Sequence, residues 1–216
     1  MIRFWNAFVK ITGWPVQLLC FRTRIYYEDR ARQDRRIKGP AIIVSNHTSV
    51  FDYAVWLFVF FSRTLRFQMA ELLFDRKPLG SLLRALGGIK VDRNARDMGF
   101  AAESERILAQ GGVVGIFPES RLPRPGEERP LPFAPSAAYI ALSTGAPVVP
   151  VYTDGAYFSP RRRARVMIGV PFYAAELAGE EGTECERLAR AAAGMREKVK
   201  ELGHELEKRK SAALRG

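Results

Sequence analysis

The chain has 216 residues, 47% of them hydrophobic, which makes it one domain long enough to bury a proper core. Its formal net charge of +11 belongs wholly to residues 1–173, with 25 basic and 14 acidic side chains, because residues 174–216 balance nine Glu against nine Lys and Arg. A basic body suits anionic partners. Nucleic acid is set aside: there is no Cys/His zinc spacing, RNP-type aromatic motif or base-reading basic helix.

Residues 4–21 are apolar, but Lys10 and Pro15 interrupt them and no small-residue cleavage site follows. They fail as a spanning helix and as a secretory signal. Trp5 and Trp14, flanked by Arg3, Arg22 and Arg24, suit a helical segment lying in the headgroup region of a membrane. Residues 24–38 are charge-dense and read as an exposed connection, punctuated by Gly39-Pro40 before a strand at 41–45. A helix at 49–62 follows, apolar on nearly every face over 53–61, so it is buried or in contact with membrane. Residues 65–70 read as a strand, 79–86 as a helix stopped by Gly87-Gly88, and 89–91 as a third strand. Then come a helix at 97–109 and a strand at 113–117.

The loop 118–135 holds six prolines, a length that marks a functional loop or a lid. A helix at 136–144, strands at 148–152 and 165–170, and a last helix at about 184–210 complete the chain. In that last helix Leu188, Ala192, Met195, Val199, Leu202 and Leu206 form one stripe. Strand–helix alternation of this kind gives an α/β fold with a largely parallel central sheet flanked by helices. Ligands in such folds collect at the C-terminal ends of the strands. Cys20 and Cys185 match no metal or redox spacing and read as free thiols in a reducing compartment.

The stretch Ser45-Asn46-His47-Thr48-Ser49-Val50-Phe51-Asp52 closes the strand at 41–45. In an unbroken helix His47 and Asp52 would lie roughly 140° apart. His47 therefore belongs to the turn before the helix, with Asp52 in the first turns of that helix and pointing back. A carboxylate so placed accepts the imidazole Nδ1–H and leaves Nε2 as an outward-facing base. The chain has two histidines, and His204, beside Glu205 and near Glu207, reads as a solvated helix residue. The same spacing also fits a structural loop histidine beside a capping Asp. Asn46 and Ser49 are read as holding this turn at the substrate site.

Three more blocks follow: Gly88-Ile89-Lys90-Val91-Asp92-Arg93, Phe117-Pro118-Glu119-Ser120-Arg121 and Val148-Val149-Pro150-Val151. In order and separation the four blocks resemble those of the glycerolipid acyltransferases, specifically the 1-acylglycerol-3-phosphate acyltransferase family, over residues 37 to 155. The resemblance implies a glycerol-3-phosphate acyltransferase-like fold, with a membrane-associating segment and connection at 1–36 and a catalytic domain at 37–216. It implies transfer of a fatty acyl group from an acyl thioester, carried by CoA or by acyl carrier protein, to the free hydroxyl of a lysophosphatidic acid. No cofactor and no metal are expected. His47 and Asp52 would be the catalytic pair. Arg93 and Arg121, at strand ends, would hold the acceptor phosphate, with Glu119 helping to position the acceptor and Pro150 lying toward the acyl chain.

Lys90, Ser120, Ala134 and Ser136 depart from the family pattern and leave the acceptor open. Lys90 is either one more phosphate contact or a sign of altered acceptor preference. Another lysophospholipid or a lyso-aminolipid acceptor is the sister reading, and a non-catalytic lipid-binding adaptor is the reading from a different class. The expected location is the cytoplasmic face of the cell membrane, peripheral or monotopic, with an anionic lipid surface as partner.

Overall fold

The computed structural model describes the backbone of residues 1–92 and 98–213 and the side chains through residue 209. Seven strands, β1 (Arg24–Tyr27), β2 (Ala41–Ser45), β3 (Leu65–Ala70), β4 (Ile89–Val91), β5 (Val113–Ile116), β6 (Val148–Thr153) and β7 (Arg165–Ile168), form one sheet of order β1-β7-β6-β2-β5-β3-β4. Strands β6, β2, β5, β3 and β4 are mutually parallel; β7 runs antiparallel to β6, and β1 runs parallel to β7. The runs Ala41-Ile42-Ile43-Val44 and Val113-Val114 are apolar without alternation because both faces of the sheet are covered.

Among the described residues eight α-helices cover it: α1 (Ile2–Thr12), α2 (Trp14–Val16), α3 (Asp52–Val59), α4 (Leu79–Leu86), α5 (Gly99–Ala109), α6 (Pro135–Thr144), α7 (Ala174–Ala178) and α8 (Glu184–Ala213). Ile42, Val44, Val114 and Ile116 point to the face packed by α5 to α8, where Met195 and Val199 of the α8 stripe are buried. Ile43, Val113, Val149 and Val151 point to the other face, under α3. The two-residue period of a strand thus feeds two cores at once.

Two expectations change. Residues 24–27 are not exposed connection but the edge strand β1; Ile25, Tyr26 and Tyr27 suit a pleated, half-buried surface, and the charges around them hid that. The helix expected at 49–62 is only Asp52–Val59, since residues 48–51 form a turn and Phe60 leaves helical geometry at φ −100°, ψ 51°. It is buried, not membrane-facing, with Val55, Trp56, Leu57 and Val59 at 2% exposure or less.

Helix α1 carries its apolar side outward, as an interfacial segment would. Its polar residues Asn6 and Lys10 are buried, while Phe4, Phe8 and Ile11 face outward. Asn6 donates to the Leu86 carbonyl at 2.9 Å. Lys10 Nζ donates to the carbonyls of Phe61 and Arg63 at 3.1 and 2.6 Å, just past the C-terminal end of α3. Both carbonyls belong to the loop that follows α3, so Lys10 ties that loop to α1. A π-helical turn, Gln17–Phe21, follows α2, and Phe21 closes the core against Phe51, Tyr157 and Phe158. Among the described residues no helix is long and apolar enough to cross a membrane.

Candidate active site

The site lies where β2, β5 and β6 end. Asp52 is the first residue of α3, and its carboxylate, fully buried, turns back over the preceding loop. Oδ2 accepts the backbone N–H of Thr48 at 2.6 Å and that of Ser49 at 2.9 Å, and lies 2.9 Å from His47 Nδ1. Two obligatory N–H donors make Oδ2 an acceptor, so Nδ1 carries the proton and donates it. Oδ1 accepts Thr48 Oγ1–H at 3.0 Å and Tyr157 Oη–H at 2.8 Å. Five donors therefore fix one carboxylate. The His47 side chain keeps about a fifth of its surface exposed (21%), and among the described residues no group hydrogen-bonds Nε2.

The imidazole is held from below as well. Phe117 stacks on it at 4.5 Å and 22°, and Phe67 stacks on Phe117 at 5.4 Å. Gly115 permits this stack, because a Cβ there would stand 2.2 Å from the Phe67 ring. Asn46 clamps the ends of β2 and β6: its amide donates to the Thr153 carbonyl and its Oδ1 accepts the Thr153 N–H, both at 2.9 Å.

Glu119 is 5% exposed. Its Oε1 accepts the His47 backbone N–H at 2.7 Å and its Oε2 the Leu131 N–H at 2.8 Å. Burial pushes this carboxyl above the usual range, opposed by those two N–H bonds. The bond to Leu131 also pins the proline-rich loop, whose Leu131 and Phe133 are buried.

Several of the expected site residues brace the turn that carries His47, as expected of Asn46 and Ser49. Asn46 and Glu119 spend their polar atoms on backbone groups. Ser49 acts through its N–H and through Oγ, which accepts the Phe51 N–H at 3.2 Å. Pro150 is buried in β6, where its carbonyl accepts the Gly169 N–H at 2.8 Å.

Among the described residues, the expected phosphate-binding cations are paired. Arg121 makes a two-pronged contact with Glu127 at 2.7 and 2.8 Å, which lowers the Glu127 carboxyl to about 2. Lys90 pairs with Glu71. Arg93 lies outside the described residues. Ser120, where the family commonly has Gly, sits at φ +60°, the left-handed region that favours glycine. Among the described residues no cluster of His, Cys, Asp and Glu could hold a metal ion.

Thr48, Phe117 and Tyr157 were not singled out from the sequence. The first two lie inside motif blocks already quoted. Tyr157 carries one signal, the Asp154-Gly155 turn just past β6. Gly155 sits at φ +63°, and a Cβ there would stand 2.5 Å from Thr48 Oγ1, so this turn delivers the tyrosine to the carboxylate.

The family model described as Acyltransferase matches residues 22–154. Among curated relatives, the chain is 32% identical over 147 residues to human 1-acyl-sn-glycerol-3-phosphate acyltransferase beta, covering 66% of this chain and 51% of that protein. It is 28% identical to the 1-acyl-sn-glycerol-3-phosphate acyltransferase of Bacillus subtilis, covering 66% of this chain and 71% of that one. The match to the enzyme of that name from Borreliella burgdorferi spans 53% of this chain and 45% of the other, at 30% identity. The matched region thus covers between about half and just over two thirds of these relatives. The crystal structure of the 1-acyl-sn-glycerophosphate (LPA) acyltransferase PlsC from Thermotoga maritima superposes with a TM-score of 0.62. It shares 22% identity and covers 92% of this chain and 78% of that one, a likeness of fold.

Proposed function

Because the chain belongs to the Acyltransferase family, we propose that it moves a fatty acyl group from an acyl thioester to the free hydroxyl of a lysophosphatidic acid, giving phosphatidic acid in phospholipid biosynthesis. The observation that carries the reading is the His47 imidazole held through Nδ1 on a buried, five-bonded Asp52 at the end of β2.

His47 Nε2 removes the acceptor hydroxyl proton as the oxygen attacks the thioester carbonyl. The tetrahedral intermediate then expels the thiolate, which takes the proton back from Nε2–H. Asp52 keeps the proton-bearing nitrogen inward and stabilises the imidazolium that forms between the two steps. Glu119, Asn46 and Phe117 position the base. Arg121, released from Glu127, serves the acceptor phosphate, for which guanidinium geometry is suited.

The outward Phe4, Phe8, Ile11, Leu18 and Leu19 support a site resting on the membrane surface, at the cytoplasmic face in this reading, where a lysolipid reaches His47 without leaving the bilayer. A non-catalytic adaptor would gain nothing from so constrained an imidazole. Another lysophospholipid or a lyso-aminolipid remains as a second acceptor reading, favoured by one observation: Arg121 and Lys90 are each already neutralised by a carboxylate.

The test supplies purified protein with detergent-dispersed lysophosphatidic acid and either acyl-CoA or acyl carrier protein thioester, and follows free thiol. Acceptor-dependent thiol release that vanishes in folded His47→Ala is expected. Normal release by that variant would remove the mechanism, and a higher rate on a different lysophospholipid or on a lyso-aminolipid would select the second reading.

A further inference from the structure

Between the N-terminal helices, the C-terminal half of α3 and the β1 edge of the sheet lies a cleft of about 150 Å³. Arginines from three separate stretches line it: Arg22 after the π-helical turn, Arg35 before β2 and Arg163 before β7. No carboxylate does. Arg22 Nη1 donates to the Pro160 carbonyl at 2.9 Å. Among the described residues none of the three guanidinium groups forms an ion pair. Three like charges gathered around one cleft repel, and an anion seated between them converts that repulsion into attraction.

A second observation points the same way. Gln17 lines the cleft and is 7% exposed. Its Nε2 donates to Thr23 Oγ1 at 2.9 Å, while Oε1 is buried with no partner. Buried polar atoms are rarely left unsatisfied, and an amide oxygen wants a hydroxyl or N–H donor. At the lip stand Trp14 and Leu18, 40% and 57% exposed, continuous with the outward apolar face of α1.

We propose that this cleft binds the headgroup of one anionic glycerophospholipid that is not the substrate. The arginines take its phosphate, Gln17 Oε1 accepts a headgroup hydroxyl, and Trp14 and Leu18 receive the glycerol backbone and the first methylenes of the chains. A phosphodiester with a polyol headgroup supplies every complementary group, and a free phosphate leaves the apolar lip unused. The site rests on the membrane-surface half of the proposed function and is independent of the reaction.

Vesicle flotation of the full chain tests it, with phosphatidylcholine vesicles carrying or lacking phosphatidylglycerol. Arg35→Gln/Arg163→Gln removes two charges from the cleft. Arg161→Gln/Arg162→Gln removes two from the adjacent surface, outside it. The cleft pair should weaken binding to phosphatidylglycerol vesicles by about tenfold, the equivalent of one charge-assisted bond. The outer pair should change it by no more than about twofold, as expected of a screened surface charge. Both should match wild type on phosphatidylcholine alone. Equal losses in the two pairs would mean diffuse attraction and overturn the site. Release of the wild type by glycerol phosphate or CoA would assign the cleft to a soluble phosphate and overturn it too. Failure of the wild type to bind any vesicle would remove the membrane reading and the site together, while thiol release in detergent would still judge the reaction on its own.

Discussion

Replacing Asp52 by Asn separates charge from geometry at this site. Oδ2 faces three N–H donors, from Thr48, Ser49 and His47, whereas Oδ1 faces two hydroxyls that can rotate to accept. An asparagine therefore seats its oxygen at the Oδ2 position and its NH2 toward Thr48 and Tyr157. The His47 Nδ1–H bond survives, and what disappears is the negative charge opposite the imidazolium. A 2.9 Å contact places the two charge centres roughly 4 Å apart, worth about 4 kcal/mol at an effective dielectric constant near 20. At about 1.4 kcal/mol per decade, kcat/KM should fall by about 10³. A loss nearer 10⁴, as in a triad whose asparagine flips the tautomer, would mean that the amide turned the other way. Asp52→Ala should instead destabilise the fold by about 3 kcal/mol or more, since several buried donors lose their acceptor at about 1–3 kcal/mol each. Thiol-release kinetics and thermal unfolding of both variants decide the matter. Wild-type turnover in Asp52→Asn, or equal destabilisation by Asn and Ala, would refute the reasoning.

Arg121→Ala should raise the KM for lysophosphatidic acid by about tenfold or more, from a charge-assisted bond of about 1.5–3 kcal/mol. Glu127→Gln should lower it, because Glu127 competes with the phosphate for the guanidinium; an unchanged KM in both variants would dismiss Arg121 as the anchor. Phe8→Ser/Ile11→Ser/Leu19→Ser should release the protein from vesicles, each outward side chain giving up part of about 1.5–3 kcal/mol, with activity on a short-chain soluble acceptor retained. Substitution is the cleaner test than truncation of residues 1–22, because Phe21 belongs to the core. Burial pushes the Lys10 ammonium down to about 8, below its unfolded value near 10.5, so the unfolded chain binds more protons between those pH values. The stability difference between wild type and Lys10→Met should therefore shift in favour of wild type as pH rises from about 8 to 10.5; a flat difference in unfolding temperature would contradict it.

The His47–Asp52 pair was legible because five residues of separation leave one way for the side chains to meet. The parallel sheet was legible from its uninterrupted apolar strands. Tyr157 was not, since it reaches Asp52 across 105 positions through a turn whose direction only the folded sheet sets. Lys10 read as an interruption of an apolar helix. That it turns inward depends on the carbonyls stranded after α3, which no local pattern announces. Arg121 read as a free phosphate ligand because pairing with Glu127, six residues on, is a choice of loop conformation. Glu119 carried a functional motif, yet its burial under Leu131 makes it a brace for His47.

Helix α3 ties two distant requirements to one short rod. Its first residue grips the base, and Lys10 grips the chain just past its last. Eight residues span about 12 Å, and a helix so fully buried does not bend at that length. On the proposed membrane-surface reading, the depth at which α1 settles in a bilayer would fix the height of Nε2 above the lipid phosphates. On that reading a lysolipid would have to rise by the same height for its hydroxyl to react, and the protein would select its acceptor partly by how far the free hydroxyl sits from the acyl chain that anchors it.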